Sequence, residues 1–187
     1  MAERSDVEKN HGYSPQKGKK TAGRKKNPSA GSIDSQSVRT GLQGAETGGK
    51  KVKGRKRHIP ADTPGLILTV IVTPAGEGDR EGLKRLLMDC FSKGTNRLRK
   101  TWADGGYSGS SVYEWVRNLK KTWCTDLEVS EKEGKGFNVV KKRRAVERTF
   151  AWIYNFRRNS KDYETLTKNS EAVIQISMIS ILLRRLA

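Results

Sequence analysis

Three carboxylates in this 187-residue chain stand where phosphate chemistry could use them. Asp34 lies in Ile33-Asp34-Ser35-Gln36-Ser37-Val38, Asp104 in Trp102-Ala103-Asp104-Gly105-Gly106-Tyr107, and Glu147 in Val146-Glu147-Arg148-Thr149-Phe150. Phosphodiester transfer is served by two divalent ions about 3.5–4 Å apart, one activating the attacking oxygen and one stabilising the leaving oxygen. Mg²⁺ takes hard oxygen ligands and keeps several waters, so a few carboxylates suffice. Without metal, such carboxylates repel one another by roughly 4 kcal/mol per pair at ~4 Å in a partly solvated site. Taken singly, each segment also has a plainer reading. Asp34 fits a cap, Asp104 before two glycines fits a turn, and Glu147 among arginines fits a surface ion pair. Asp62, Asp79 and Asp126 are competing carboxylates.

The charge balance favours the phosphate reading. Lys and Arg number 38 against 20 Asp and Glu, for a formal net charge of +18. Such an excess attracts polyanions and makes binding salt-sensitive, with nucleic acid the first candidate. The longest apolar run, LILTVIVT at residues 66–73, is far short of the roughly 20 residues a membrane span needs. The N-terminus lacks an apolar signal core. Cys90 and Cys124 share no metal-ligand spacing with each other or with His11 and His58, so the expectation is a cytosolic protein with free thiols and no zinc site.

The elements that must position the carboxylates follow from periodicity. Residues 1–28 hold Lys, Arg, Gly, Ser and Pro with little to bury and read as a disordered basic arm; one domain follows at 29–187. A short strand is expected at 30–38, a Gly-rich loop at 40–49, a strand at 58–63 and a buried strand at 66–73, the last two paired through Pro64-Gly65. A helix is expected at 78–93, capped by Asp79, with Leu83, Leu86, Leu87 and Cys90 on its buried face. A strand at 98–103 ends at Asp104, and a helix at 110–119 buries Val112, Trp115, Val116 and Leu119. Short strands are expected at 125–129 and 136–140. A helix at 142–156 buries Val146, Phe150 and Ile153. A last helix at 169–186, capped by Asn169 or Ser170, has Ala172, Val173, Ile176, Ile179 and Leu183 as its apolar face. This order mixes an antiparallel hairpin with a βαβ unit, an α/β sheet flanked by helices.

The segments IDSQSV (33–38), KGRKRH (53–58), WADGGY (102–107) and VERTFAW (146–152), followed by SKDYE (160–164) and SEA (170–172), together resemble the DDE transposases of bacterial insertion sequences over residues 28–187. The resemblance implies an RNase H-like fold and a DNA-transposing nuclease and strand transferase. It implies Asp34, Asp104 and Glu147 as a triad binding two Mg²⁺ or Mn²⁺ ions. Arg143, one turn before Glu147, would contact phosphate near the cut. The Tyr and Lys that some relatives carry seven residues either side of the Glu are Val140 and Tyr154 here.

Lysines and arginines position a duplex without reading sequence, and Lys53, Arg55, Lys56 and Arg57 are expected to form a phosphate-tracking ribbon, with Lys142, Arg144 and Arg148 meeting DNA beside Glu147. His58 and Cys90 are expected to be structural. Double-stranded DNA is the expected partner, in a bacterial cytoplasm and at the nucleoid, with no membrane. A homodimer on DNA and a product of an upstream frame are further expected partners. The end-binding N-terminal part of full-length relatives is expected to be missing. The rival expectation is therefore a truncated, inactive DNA-binding fragment.

Overall fold

A computed structural model describes residues 27–41, 54–95, 97–130 and 144–185. Five strands form one mixed sheet in the order β3-β2-β1-β4-β5. They are β1 (Ala30–Arg39), β2 (Gly54–Asp62), β3 (Ile71–Pro74), β4 (Lys100–Asp104) and β5 (Asp126–Ser130). The first three are antiparallel neighbours, and β4 and β5 join β1 in parallel. Parallel neighbours need crossovers, which the helices supply. These are α1 (Asp79–Ser92) and α2 (Ser110–Trp123) on one face, and α3 (Arg144–Tyr154) and α4 (Thr167–Arg184) on the other.

Strand alternation sends successive side chains to opposite layers. Ile33, Ala103 and Leu127 join Leu83, Leu86, Leu87 and Phe91 of α1 and Val112 and Val116 of α2. On the other layer Ile59, Ala61 and Val72 pack with Val146, Phe150 and Ile153 of α3 and Ile174 of α4. Burying each such side chain is worth roughly 1.5–3 kcal/mol. The expected faces of α1 and α3 are the buried ones, and in α2 Val112 and Val116 are buried with Trp115 and Leu119 packed at their margin.

Other expectations change. β2 starts at Gly54, inside the basic run, and β3 keeps only Ile71–Pro74 of the long apolar stretch. Leu66 and Ile67 instead pack against α4. In α4 the buried residues are Ser170, Ile174, Ser177, Met178 and Leu182, whereas Ala172, Ile176 and Leu183 of the expected face are exposed. Apolar residues ring this helix, so periodicity alone could not orient it, and buried polar contacts through Ser170 and Ser177 decide its rotation. The helix begins after Leu166, and Ser170 sits inside it rather than capping it. Glu171 accepts a hydrogen bond from the backbone N–H of Val72 at 3.1 Å, covering part of the β3 edge. The basic arm up to residue 26, the Gly-rich loop from 42 onward and the strand expected at 136–140 lie outside the described residues.

Candidate active site

The strand register sets Asp34 and Asp104 at the same level of the sheet. The β1–β4 pairing runs from Ala30↔Lys100 to Ser32↔Trp102. Continuing that register by two residues sets Asp34 level with Asp104 and on the same face. Asp34 lies opposite Ile59 of β2, whose side chain packs with Val146 of α3. Both aspartates are partly exposed. Asp34 accepts from the backbone N–H of Ser35 at 2.8 Å. Asp104 accepts from that of Gly105 at 2.7 Å and caps a single 3₁₀ turn, Gly105–Tyr107. The turn reading of Asp104 is therefore correct and compatible with a site role.

The 3₁₀ turn delivers Tyr107 into the core, 1 % exposed. Burial raises the pKa of its hydroxyl well above the ordinary range, and the carboxylates of Asp34, Asp79 and Asp104 push the same way, with Ser35 offsetting part of the rise. The Tyr107 hydroxyl is buried and makes no hydrogen bond of good geometry.

Glu147 occupies the first turn of α3, one residue past buried Val146, and is exposed. Among the described residues no three His, Cys, Asp or Glu side chains gather closely enough to hold a metal ion. The strand register sets Asp34 and Asp104 level on one face, and Glu147 lies on the helix that packs on that face. Two aspartates supply the hard oxygens that Mg²⁺ or Mn²⁺ takes, so the pair fits such an ion. Arg144 and Arg148 are exposed beside Glu147. Arg148 donates to the Thr63 carbonyl at 3.3 Å and stacks over the Trp152 ring, 5.1 Å from its centroid. Lys53, Lys142 and Arg143 lie outside the described residues.

The phosphate-tracking ribbon is corrected by strand geometry. β2 turns Arg55 and Arg57 inward, 8 % and 2 % exposed. Arg55 bonds Asp162 at 3.1 Å, Ser170 at 2.7 Å and the Thr165 carbonyl at 2.7 Å. Arg57 donates to the Asn159 carbonyl at 2.8 Å. Lys56 faces the other layer and bonds the Glu77 carbonyl at 2.9 Å and Asp79 at 3.2 Å. Arg55 and Arg57 are thus committed to internal contacts, and Lys56 is half-buried against Glu77 and Asp79.

The same contacts explain the other motif segments. Asp162 and Ser170, from SKDYE and SEA, meet Arg55 of KGRKRH. His58 is fully buried against Thr73 at 3.2 Å, and burial lowers its pKa to about 4. It is structural, as expected, and so is Cys90, whose thiol burial pushes up to about 12.

Sequence reasoning named Asp79 only as a helix cap and a competing carboxylate, and it missed Ser35. Asp79 makes no side-chain cap; it is the first residue of α1, and its carboxylate accepts from the Ser35 hydroxyl at 2.8 Å. The adjacency of Ser35 to Asp34 in the sequence is the signal that could have found it.

The sequence matches the family described as "Transposase DDE domain" over residues 25–182. No curated protein matches. Among solved structures, the catalytic core domain of BIV integrase is similar, with 14 % identity, a TM-score of 0.52, and coverage of 82 % of this chain and 83 % of that one. At that identity the likeness speaks for the fold alone, an RNase H-like α/β fold. The chain belongs to the DDE transposase family. It is a catalytic domain of DNA transposition, and the α/β expectation with an RNase H-like sheet is met. Among the described residues no helix is long and apolar enough to cross a membrane.

Proposed function

We propose that this domain cuts and joins DNA phosphodiesters at the ends of an insertion sequence, with Asp34 and Asp104 as paired metal ligands and Glu147 as the third donor from the first turn of α3. The observation that carries the reading is the level, same-face placement of Asp34 and Asp104 where β1 and β4 stop pairing. Bound there, two Mg²⁺ or Mn²⁺ ions would activate the attacking oxygen and stabilise the leaving one. The chain's own part is to hold the two carboxylates adjacent and to bring phosphate to them. Arg144 and Arg148, exposed on the helix that carries Glu147, suit the backbone of double-stranded DNA. Arg143 would contact phosphate near the cut. Assembly as a homodimer on DNA, or with a product of an upstream frame, belongs to the same reading, as does nucleoid association through DNA.

The test is nicking of a supercoiled plasmid carrying the DNA that flanks this coding sequence, with Mg²⁺, Mn²⁺ or chelator. Metal-dependent nicking that disappears in Asp34→Asn and Asp104→Asn is the expected result. Equal nicking by wild type and the double variant would refute the assignment. Salt-dependent binding without nicking in any metal would favour the inactive DNA-binding fragment.

A further inference from the structure

The two aspartates lie beyond the last paired residues of β1 and β4, Ser32↔Trp102, so the ladder between those strands does not fix their spacing. The N-terminus of α1 reaches both. Asp79 Oδ1 accepts from Ser35 Oγ at 2.8 Å, one residue after Asp34. Asp79 Oδ2 lies 3.5 Å from where a Cβ on Gly106 would stand, two residues after Asp104. Lys56 Nζ, 3.2 Å from Asp79 Oδ1 and 2.9 Å from the Glu77 carbonyl, ties the same carboxylate to β2 and to the chain entering α1. The helix itself is packed tightly into the core. Leu83, Leu86 and Leu87 are fully buried, and Gly82 sits so close to His58 that an added Cβ would come within 2.3 Å of the ring.

We propose that Asp79 is a positioning residue that sets the separation of Asp34 and Asp104, acting through its hydrogen bond with Ser35 on one side and by occupying the space beside Gly106 on the other. It touches neither DNA nor metal in this role. The residues one shell out from metal ligands orient them, and their loss typically costs 10–100-fold in metal affinity. Asp79 would do this for two ligands at once. The inference rests on the proposed metal role of the aspartate pair.

Ser35 gives the cleanest test, because changing it alters no charge. Mn²⁺ binding to the intact chain, followed by paramagnetic resonance of the free ion, is measured for wild type, Asp34→Asn, Asp79→Ala, Ser35→Ala and Ser35→Thr, with thermal unfolding recorded for each. Wild type should bind, and Asp34→Asn should lose binding. Asp79→Ala and Ser35→Ala should each weaken binding about 10–100-fold, and Ser35→Thr, which keeps the hydroxyl, should stay near wild type. Wild-type affinity in Ser35→Ala, or equal losses in Ser35→Ala and Ser35→Thr, would overturn the positioning role while leaving the metal site standing. The same holds for a loss in Asp79→Ala matched only by its loss of thermal stability. No Mn²⁺ binding by wild type would remove the metal reading itself and the inference with it.

Discussion

Asp162 and Asp34 are carboxylates on the same side of one sheet, yet their surroundings differ. Asp162 is 2 % exposed, and a single oxygen takes hydrogen bonds from Arg55, Ser170 and the backbone N–H of Glu164. Asp34 is partly exposed, beside Asp104 and the Asp79–Ser35 bridge. The first carboxylate is sealed with its counter-ion and joins β2 to the start of α4. The second is grouped with other acids where solvent and ions can reach. Both regions come from charged sequence motifs, and the contrast teaches that a basic or acidic motif divides by strand parity and depth. Between Arg55 and His58 alternate residues go to opposite layers, and the two arginines turn inward.

The contrast breaks if the two regions fail in the same way when mutated. The largest expected effect is on activity. Asp34→Asn or Asp104→Asn should lower metal-dependent nicking by ~10³-fold or more, because metal stabilisation of the transition state is worth several kcal/mol and each 1.36 kcal/mol is tenfold. Urea unfolding of the same variants should show no loss of stability, since each change relieves repulsion between neighbouring acids. A large fall in the unfolding midpoint would show that Asp34 is structural like Asp162.

The reverse pattern is expected at Asp162. Asp162→Ala leaves the guanidinium of Arg55, 8 % exposed, without its counter-ion. Breaking a buried pair from one side costs about 3–5 kcal/mol, readable in the midpoint of urea unfolding. Stability within ~0.5 kcal/mol of wild type, the range of ordinary surface changes, would remove the distinction between the two regions.

His58 sharpens the comparison through pH. Its folded-state pKa is lowered to about 4 by burial, with Asp79 opposing and Lys56 and Arg85 assisting. The unfolded chain binds a proton near its ordinary ~6.5, so between those values the unfolded state holds more protons. Stability contributed by neutral His58 is present above pH ~6.5 and is lost as pH falls toward 4, by up to about 3 kcal/mol in all. Unfolding measured from pH 7 to 4 should show that slope, and His58→Asn should flatten it. Gly82→Ala drives a methyl into the same ring and should cost about 1–3 kcal/mol, measured by the same unfolding at pH 7.

Part of this organisation is legible in the sequence. Leu83, Leu86, Leu87 and Cys90 recur at helical spacing and are buried as that spacing requires. Asp104 followed by two glycines announces a strand end, and the structure places it there. The pairing of Asp34 with Asp104 depends on a parallel register between strands 70 residues apart, which no local pattern encodes. The inward arginines were misread because a charge run carries no mark of burial; their acceptors, Asp162 and Asn159, lie more than 100 residues away. The rotation of α4 was illegible for the opposite reason, since its apolar residues offer several faces and two serines choose among them.

The smallest expected effect sits at the rim of the sealed network. Arg158 donates to Glu164 through Nε at 3.1 Å and Nη2 at 2.7 Å, on a side chain 63 % exposed. Its geometry is as good as that of Arg55 with Asp162, and Asp162 and Glu164 belong to the same turn region after α3. Solvent separates them in energy: an exposed guanidinium keeps water as an alternative partner, whereas Arg55, once Asp162 is gone, keeps only the neutral Ser170 hydroxyl and Thr165 carbonyl and no counter-ion. A double-mutant cycle on Arg158 and Glu164 should return a coupling of about 0.2–1 kcal/mol, while Glu164→Gln alone should barely move the unfolding midpoint. A coupling as large as the loss in Asp162→Ala would mean that hydrogen-bond geometry, and not burial, sets what these carboxylates contribute.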